Sequence, residues 1–166
     1  MPCPDADCDA IDFETAFDLL IGHEGGYVYH PNDPGGETKY GISKRSYPDV
    51  DIYSLTLEDA KRIYERDFWD RLQISSMPEP IRFQLFDTAV NSGPGQAVRF
   101  LQRAANVADD GIIGPMTISA VRRLSPYALL ARFNGERLDY MTRLSTWPTF
   151  GKGWARRIAQ NLRMAG

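Results

Sequence analysis

Glu24, Asp33 and Thr38 are the side chains in the first quarter of the sequence whose types and spacing suit cleavage of a glycosidic bond, with eight residues between the first two and four between the last two. That reaction needs a carboxyl group protonated near neutral pH to protonate the leaving oxygen. Commonly it also needs a second carboxylate, or a positioned water, across the sugar. Glu24 falls where a helix is expected to end. The partial negative charge of a helix C-terminus disfavours an ionised carboxylate there, and apolar neighbours such as Ile21 and Tyr27 act in the same direction. Gly25 and Gly26 leave its flank open to a bulky polymer. The same residue also reads as a surface glutamate in a frayed last turn. Asp33 and Thr38 can return to the helix end, Asp33 to orient water or stabilise positive charge and Thr38 to hold the water by its hydroxyl. Asp33 equally suits an ordinary Asn-Asp-Pro-Gly-Gly turn, and Glu37 and Asp49 are rival carboxylates in the same segment.

Sugar sites also use aromatic faces against pyranose rings and amides against N-acetyl groups, which singles out Tyr27, Tyr40 and Asn91 as substrate-binding candidates. Trp69, on an amphipathic helix, reads rather as a core residue, and Trp147 and Trp154 have the same alternative. His23 and His30 flank the first helix end without cysteine or further histidine nearby. No metal and no cofactor is expected. Cys3 and Cys8 lie in a polar segment, 1–12, read as an accessory tail.

The elements that must carry these residues are mostly helices. Phe13, Phe17, Leu20 and Ile21 recur at helical spacing behind Asp12, a good cap, with Gly25-Gly26 as a stop. From Gly25 to Ser54, glycines, prolines and tyrosines predict a loop or small sheet. Thr56-Leu57-Glu58-Asp59 opens a helix as a capping box whose apolar face is Ala60, Ile63, Tyr64, Phe68 and Leu72. The run 80–91 predicts a buried central helix stopped at Ser92-Gly93-Pro94, and 96–106, 115–124, 126–144 and 153–164 predict four more. The fold class is mainly α (α+β), in two lobes with a small β region after the first helix. The domain reading is a tail over 1–12, a first region over 13–93 and a helical second lobe over 94–166.

Composition narrows the function classes. At 166 residues the chain can bury a full core, and a net charge of −3 argues against grip on nucleic acid by bulk electrostatics. No run approaches the roughly 18 apolar residues of a membrane span, and the first residues lack the basic and apolar regions of a secretory signal. Synthesis in the cytoplasm and no stable membrane insertion are the expectations. From Arg82 onward the balance turns basic, which suits an anionic polymer, although each arginine alone reads as a solvated helix surface.

The run His23-Glu24-Gly25-Gly26-Tyr27-Val28, followed by Asn32-Asp33-Pro34-Gly35-Gly36-Glu37-Thr38-Lys39-Tyr40-Gly41-Ile42-Ser43, resembles the N-terminal signature of glycoside hydrolase family 108, lysozyme-like N-acetylmuramidases of phages and bacteria. Phe86-Asp87-Thr88-Ala89-Val90-Asn91-Ser92-Gly93 is similar to a further block of that family. The resemblance implies a lysozyme-like fold, cleavage of the β-1,4 bond between N-acetylmuramic acid and N-acetylglucosamine in peptidoglycan, and Glu24 as the catalytic glutamate. The Glu24, Asp33, Thr38 spacing also resembles the catalytic set of phage-type lysozymes, whose last gap is one residue longer. Asp109-Asp110-Gly111-Ile112-Ile113-Gly114-Pro115-Met116-Thr117 resembles a loop of small peptidoglycan-binding domains, and here it also reads as turn and cap architecture. An endolysin of this type acts on the wall in the periplasm, as a monomer, after a separate protein permeabilises the membrane. The rival readings are a non-catalytic peptidoglycan-binding module, a lytic transglycosylase with Glu24 as sole acid and base, and a secretion-associated wall-cleaving protein.

Overall fold

The computed structural model describes residues 10–22, 26–29 and 36–165. The chain forms two compact units, one over Asp12–Asp70 and the other over Met1–Ile11 with Arg71–Gly166. The division between units thus falls at Asp70, and Gly93 lies inside the second.

In the first unit, helix α1 (Phe13–Ile21) starts where Asp12 accepts the Thr15 amide at 2.8 Å. At its other end the Gly22 N–H donates to the Asp18 and Leu20 carbonyls. Strands β1 (Val28–Tyr29), β2 (Glu37–Lys39) and β3 (Ile42–Ser43) form an antiparallel sheet in that order. Val28 faces Thr38, and Thr38 faces Ser43.

Helix α2 (Leu57–Tyr64) opens with the reciprocal capping box, Thr56 accepting the Asp59 amide and Asp59 accepting the Thr56 amide. It runs on into a π-helical turn, Glu65–Asp70. That wider turn explains which aromatic is buried. An unbroken α-helical face would carry Phe68 inward after Tyr64, whereas the structure buries Trp69, five residues on from Tyr64, and leaves Phe68 half-buried. Trp69 then meets the Phe13 ring edge-on at 5.7 Å, while Phe17 contacts Phe13 and Tyr64 at 5.8 Å each. Trp69 is therefore a core residue. An ion pair between Lys61 and Glu14 further ties α2 to α1.

The second unit is helical. A short 3-10 turn (Ile74–Ser76) leads into α3 (Glu79–Ser92), buried on most faces from Ile81 through Ala89. Gly93, at φ +89°, supplies the break that a residue with a Cβ would resist, and Pro94 begins α4 (Pro94–Ala104). Helices α5 (Pro115–Arg123) and α6 (Pro126–Thr142) also start on proline. Helix α7 (Trp147–Met164) begins six residues before the expected Gly153. Helix α6 packs against α3, α4 and α7, and Phe100 of α4 meets Phe133 and Tyr140 of α6 edge-on at 6.3 and 5.3 Å. Among the described residues no helix is long and apolar enough to cross a membrane.

Candidate active site

Glu24 and Asp33, with His23 and His30, lie outside the described residues, as do Cys3 and Cys8. The elements around the first two are well defined: α1 ends at Ile21, β1 begins at Val28 and β2 at Glu37.

Of the other candidates, Tyr27, Thr38 and Tyr40 come together on the small sheet. Thr38 is half-buried at the centre of β2, and alternation along the strand puts it on the opposite face from Glu37. Tyr27, 40% exposed, donates its hydroxyl to Glu37 Oε1 at 3.0 Å and meets the Tyr53 ring edge-on at 5.5 Å. Partial desolvation, then the Glu37 carboxylate, hold the Tyr27 phenol above its ordinary range, so it remains a hydrogen-bond donor at neutral pH. Glu37, a rival carboxylate in the sequence, is thereby engaged with Tyr27. Tyr29 and Tyr53 are also exposed in this unit. Tyr40 takes a left-handed backbone conformation, φ +51°, and its carbonyl accepts the buried Tyr64 hydroxyl at 2.9 Å. The turn between β2 and β3 is thereby anchored to α2. The Lys39 ammonium lies 5.5 Å from the Tyr40 ring centre.

Asn91 belongs to the second unit, in the last turn of α3. Its amide donates to the Asp87 carbonyl at 2.7 Å and to Asp87 Oδ1 at 3.3 Å, and the residue borders a pocket of about 390 Å³. Behind it stands a cluster that the sequence reading missed. Asp87, 1% exposed, accepts Arg157 Nε and Nη2 on Oδ1 at 2.9 and 2.7 Å, and Arg137 Nη2 and Asn161 Nδ2 on Oδ2 at 3.0 and 2.8 Å. Arg137 and Arg157 are thus not members of a solvated basic face. The available signal was periodic: Leu130, Phe133, Arg137 and Met141 fall on one stripe of α6, so the arginine occupied a core position. Burial pushes the Arg137 guanidinium down from its usual range, against the opposing pull of Asp87, yet arginine keeps its charge in proteins.

The Asp110 loop is architectural in its contacts. Asp110 accepts the Ile112 amide at 2.9 Å and the Gln102 side-chain amide at 2.8 Å, while Gln102 receives the Gly111 amide at 2.9 Å and donates to Thr117 at 3.1 Å. Thr117 is engaged with Gln102, and α5 has no side-chain cap. Gly111, at φ +79°, lies so close to the Gly95 carbonyl that a Cβ would sit 3.2 Å from it. Among the described residues no group of acidic, histidine or cysteine side chains is arranged to hold a metal ion.

A mainly α fold with a small three-stranded sheet after its first helix, carrying exposed tyrosines, is that of a lysozyme-like glycosidase. The comparisons with known proteins say the same. Residues 17–93 match the family profile described as Glycosyl hydrolase 108, and residues 96–159 match the one described as Predicted Peptidoglycan domain. Among solved structures, SagA of Brucella abortus is 33% identical, with 92% of each chain covered and a TM-score of 0.83. No curated protein matches the chain. The chain belongs to glycosyl hydrolase family 108, and it is a glycoside hydrolase acting on peptidoglycan.

Proposed function

We propose that the chain is an N-acetylmuramidase, hydrolysing the β-1,4 bond between N-acetylmuramic acid and N-acetylglucosamine with Glu24 as general acid. The observation that carries this reading is the family match over residues 17–93, which includes the whole segment from Glu24 through Thr38. Asp33 assists the attacking water or the developing positive charge, and Thr38 holds that water. Tyr27 and Tyr40 stack on sugar rings and Asn91 receives an N-acetyl group. Residues 13–93 form the catalytic region and residues 94–166 the wall-engaging one. The protein works as a monomeric endolysin that reaches the wall through a separate membrane-permeabilising protein.

Turbidity loss and product mass spectrometry on purified peptidoglycan test the chemistry. The native chain should release muropeptides ending in reducing muramic acid. Glu24→Gln should lose activity by about 10²-fold or more with an unchanged circular dichroism spectrum, and Asp33→Asn should be slowed less. Anhydro-muramic products would assign the chain to the transglycosylases. Full activity in Glu24→Gln would place the acid elsewhere.

A further inference from the structure

The pocket beside Asn91 is built for a guest of one charge sign. Its polar wall is Asn91, Ser92, Arg137 and Arg157, and its apolar wall includes Leu144 and Trp154. Arg137 is 1% exposed, and it spends only its Nη2 group on Asp87. Its Nε and Nη1 nitrogens are buried and find no acceptor among the described residues. Two guanidinium groups meet the single Asp87 carboxylate, so the cluster retains one excess positive charge against the pocket. An uncompensated charge beside a pocket is unfavourable, and an anionic ligand relieves it. At about 390 Å³ the pocket holds far more than one water, whose share of liquid volume is about 30 Å³.

We propose that this pocket is a binding subsite for a carboxylate carried on a short aliphatic chain, the group that the peptide stems of peptidoglycan present. The carboxylate sits against the Arg157 and Arg137 guanidinium groups, with Asn91 beside it, while the aliphatic part lies against Leu144 and Trp154. The assignment rests on peptidoglycan as substrate but not on Glu24, and binding measured without turnover separates the two.

Calorimetric titration of the full chain with L-alanyl-D-glutamate, its diamide and acetate tests it at neutral pH and low salt. The dipeptide should bind, and the diamide should bind at least about tenfold more weakly, the ratio expected when charge-assisted hydrogen bonds are lost. Arg137→Met should lose the same factor. Because that variant also strips Asp87 of a buried partner and so perturbs folding, Leu144→Trp, which fills the pocket from a half-buried position away from Asp87, should also abolish binding at unchanged Tm. Equal binding of dipeptide and diamide, no binding of the dipeptide, or full binding by Leu144→Trp would overturn the proposal. Binding of acetate without the dipeptide would overturn the peptide stem as its source.

Discussion

Asp87 is the residue on which the helical unit depends most heavily. A buried carboxylate is tolerable only when its charge and lone pairs are met, and here two arginines and two asparagines meet them. Asp87→Asn keeps the shape and removes the charge, leaving Arg137 buried with a neutral partner. It should lower unfolding free energy by about 3–5 kcal/mol, read from the urea midpoint at unchanged slope. Arg137→Met combined with Asp87→Asn should cost less than the two separate losses added together, by about 1 kcal/mol or more, because each single change strands the other group. Strict additivity would show that the pair is not coupled.

At the scale of elements, the ends of helices make the clearest predictions. Asp12 caps α1, and its carboxyl is held below the usual range first by the Thr15 amide and then by the Thr15 side chain. A depressed folded value means the stabilisation is complete above about pH 4, the ordinary carboxylate range, and is lost as pH falls through the lower folded value. Asp12→Ala should therefore cost about 1 kcal/mol near neutrality, and its Tm difference from the native chain should narrow as pH falls below the ordinary carboxylate range. Helix α7 contains a second test. A Cβ on Gly151 would lie 2.3 Å from the Trp147 ring, which itself packs 6.2 Å from Trp154. Gly151→Ala has the better helix propensity but must displace that ring. It should lower stability by about 1–3 kcal/mol and alter the near-ultraviolet dichroism, whereas Gly153→Ala, with open space around it, should not. The same glycine explains why the start of α7 was hard to see in the sequence. Glycine inside a helix normally argues against one, and only the ring lying over it supplies the reason.

For the whole molecule, the legible features were those written locally. Asp12, the Thr56–Asp59 box, the Gly93–Pro94 break and the prolines that open α4, α5 and α6 all act within a turn of themselves. The mainly α class with a small sheet followed from such signals, and the family from the resemblance carried by residues 23–28, 32–43 and 86–93. Of the site, the placement of Tyr27, Thr38 and Tyr40 on or beside the sheet was readable from the turn-rich stretch that carries them. What the sequence did not disclose are pairings between distant positions. Arg137, Arg157 and Asn161 reach Asp87 across 50, 70 and 74 residues, and no local pattern names a partner so far away. The π turn is a similar case, since one added residue per turn is indistinguishable from a shifted apolar stripe until Trp69 is seen beside Phe13.

The Asp87 cluster also bears on how the chain matures during synthesis. Helix α3 is made with a carboxylate in its apolar face, and every cation that neutralises it is encoded later, the last contribution coming from α7. While those segments are still emerging from the ribosome, closing the helical unit would bury a bare charge, which is among the costliest states a protein interior can adopt. The ion cluster therefore acts as a completion signal. On this argument the nascent helical unit should stay open, and within reach of chaperones and proteases, until α7 is delivered.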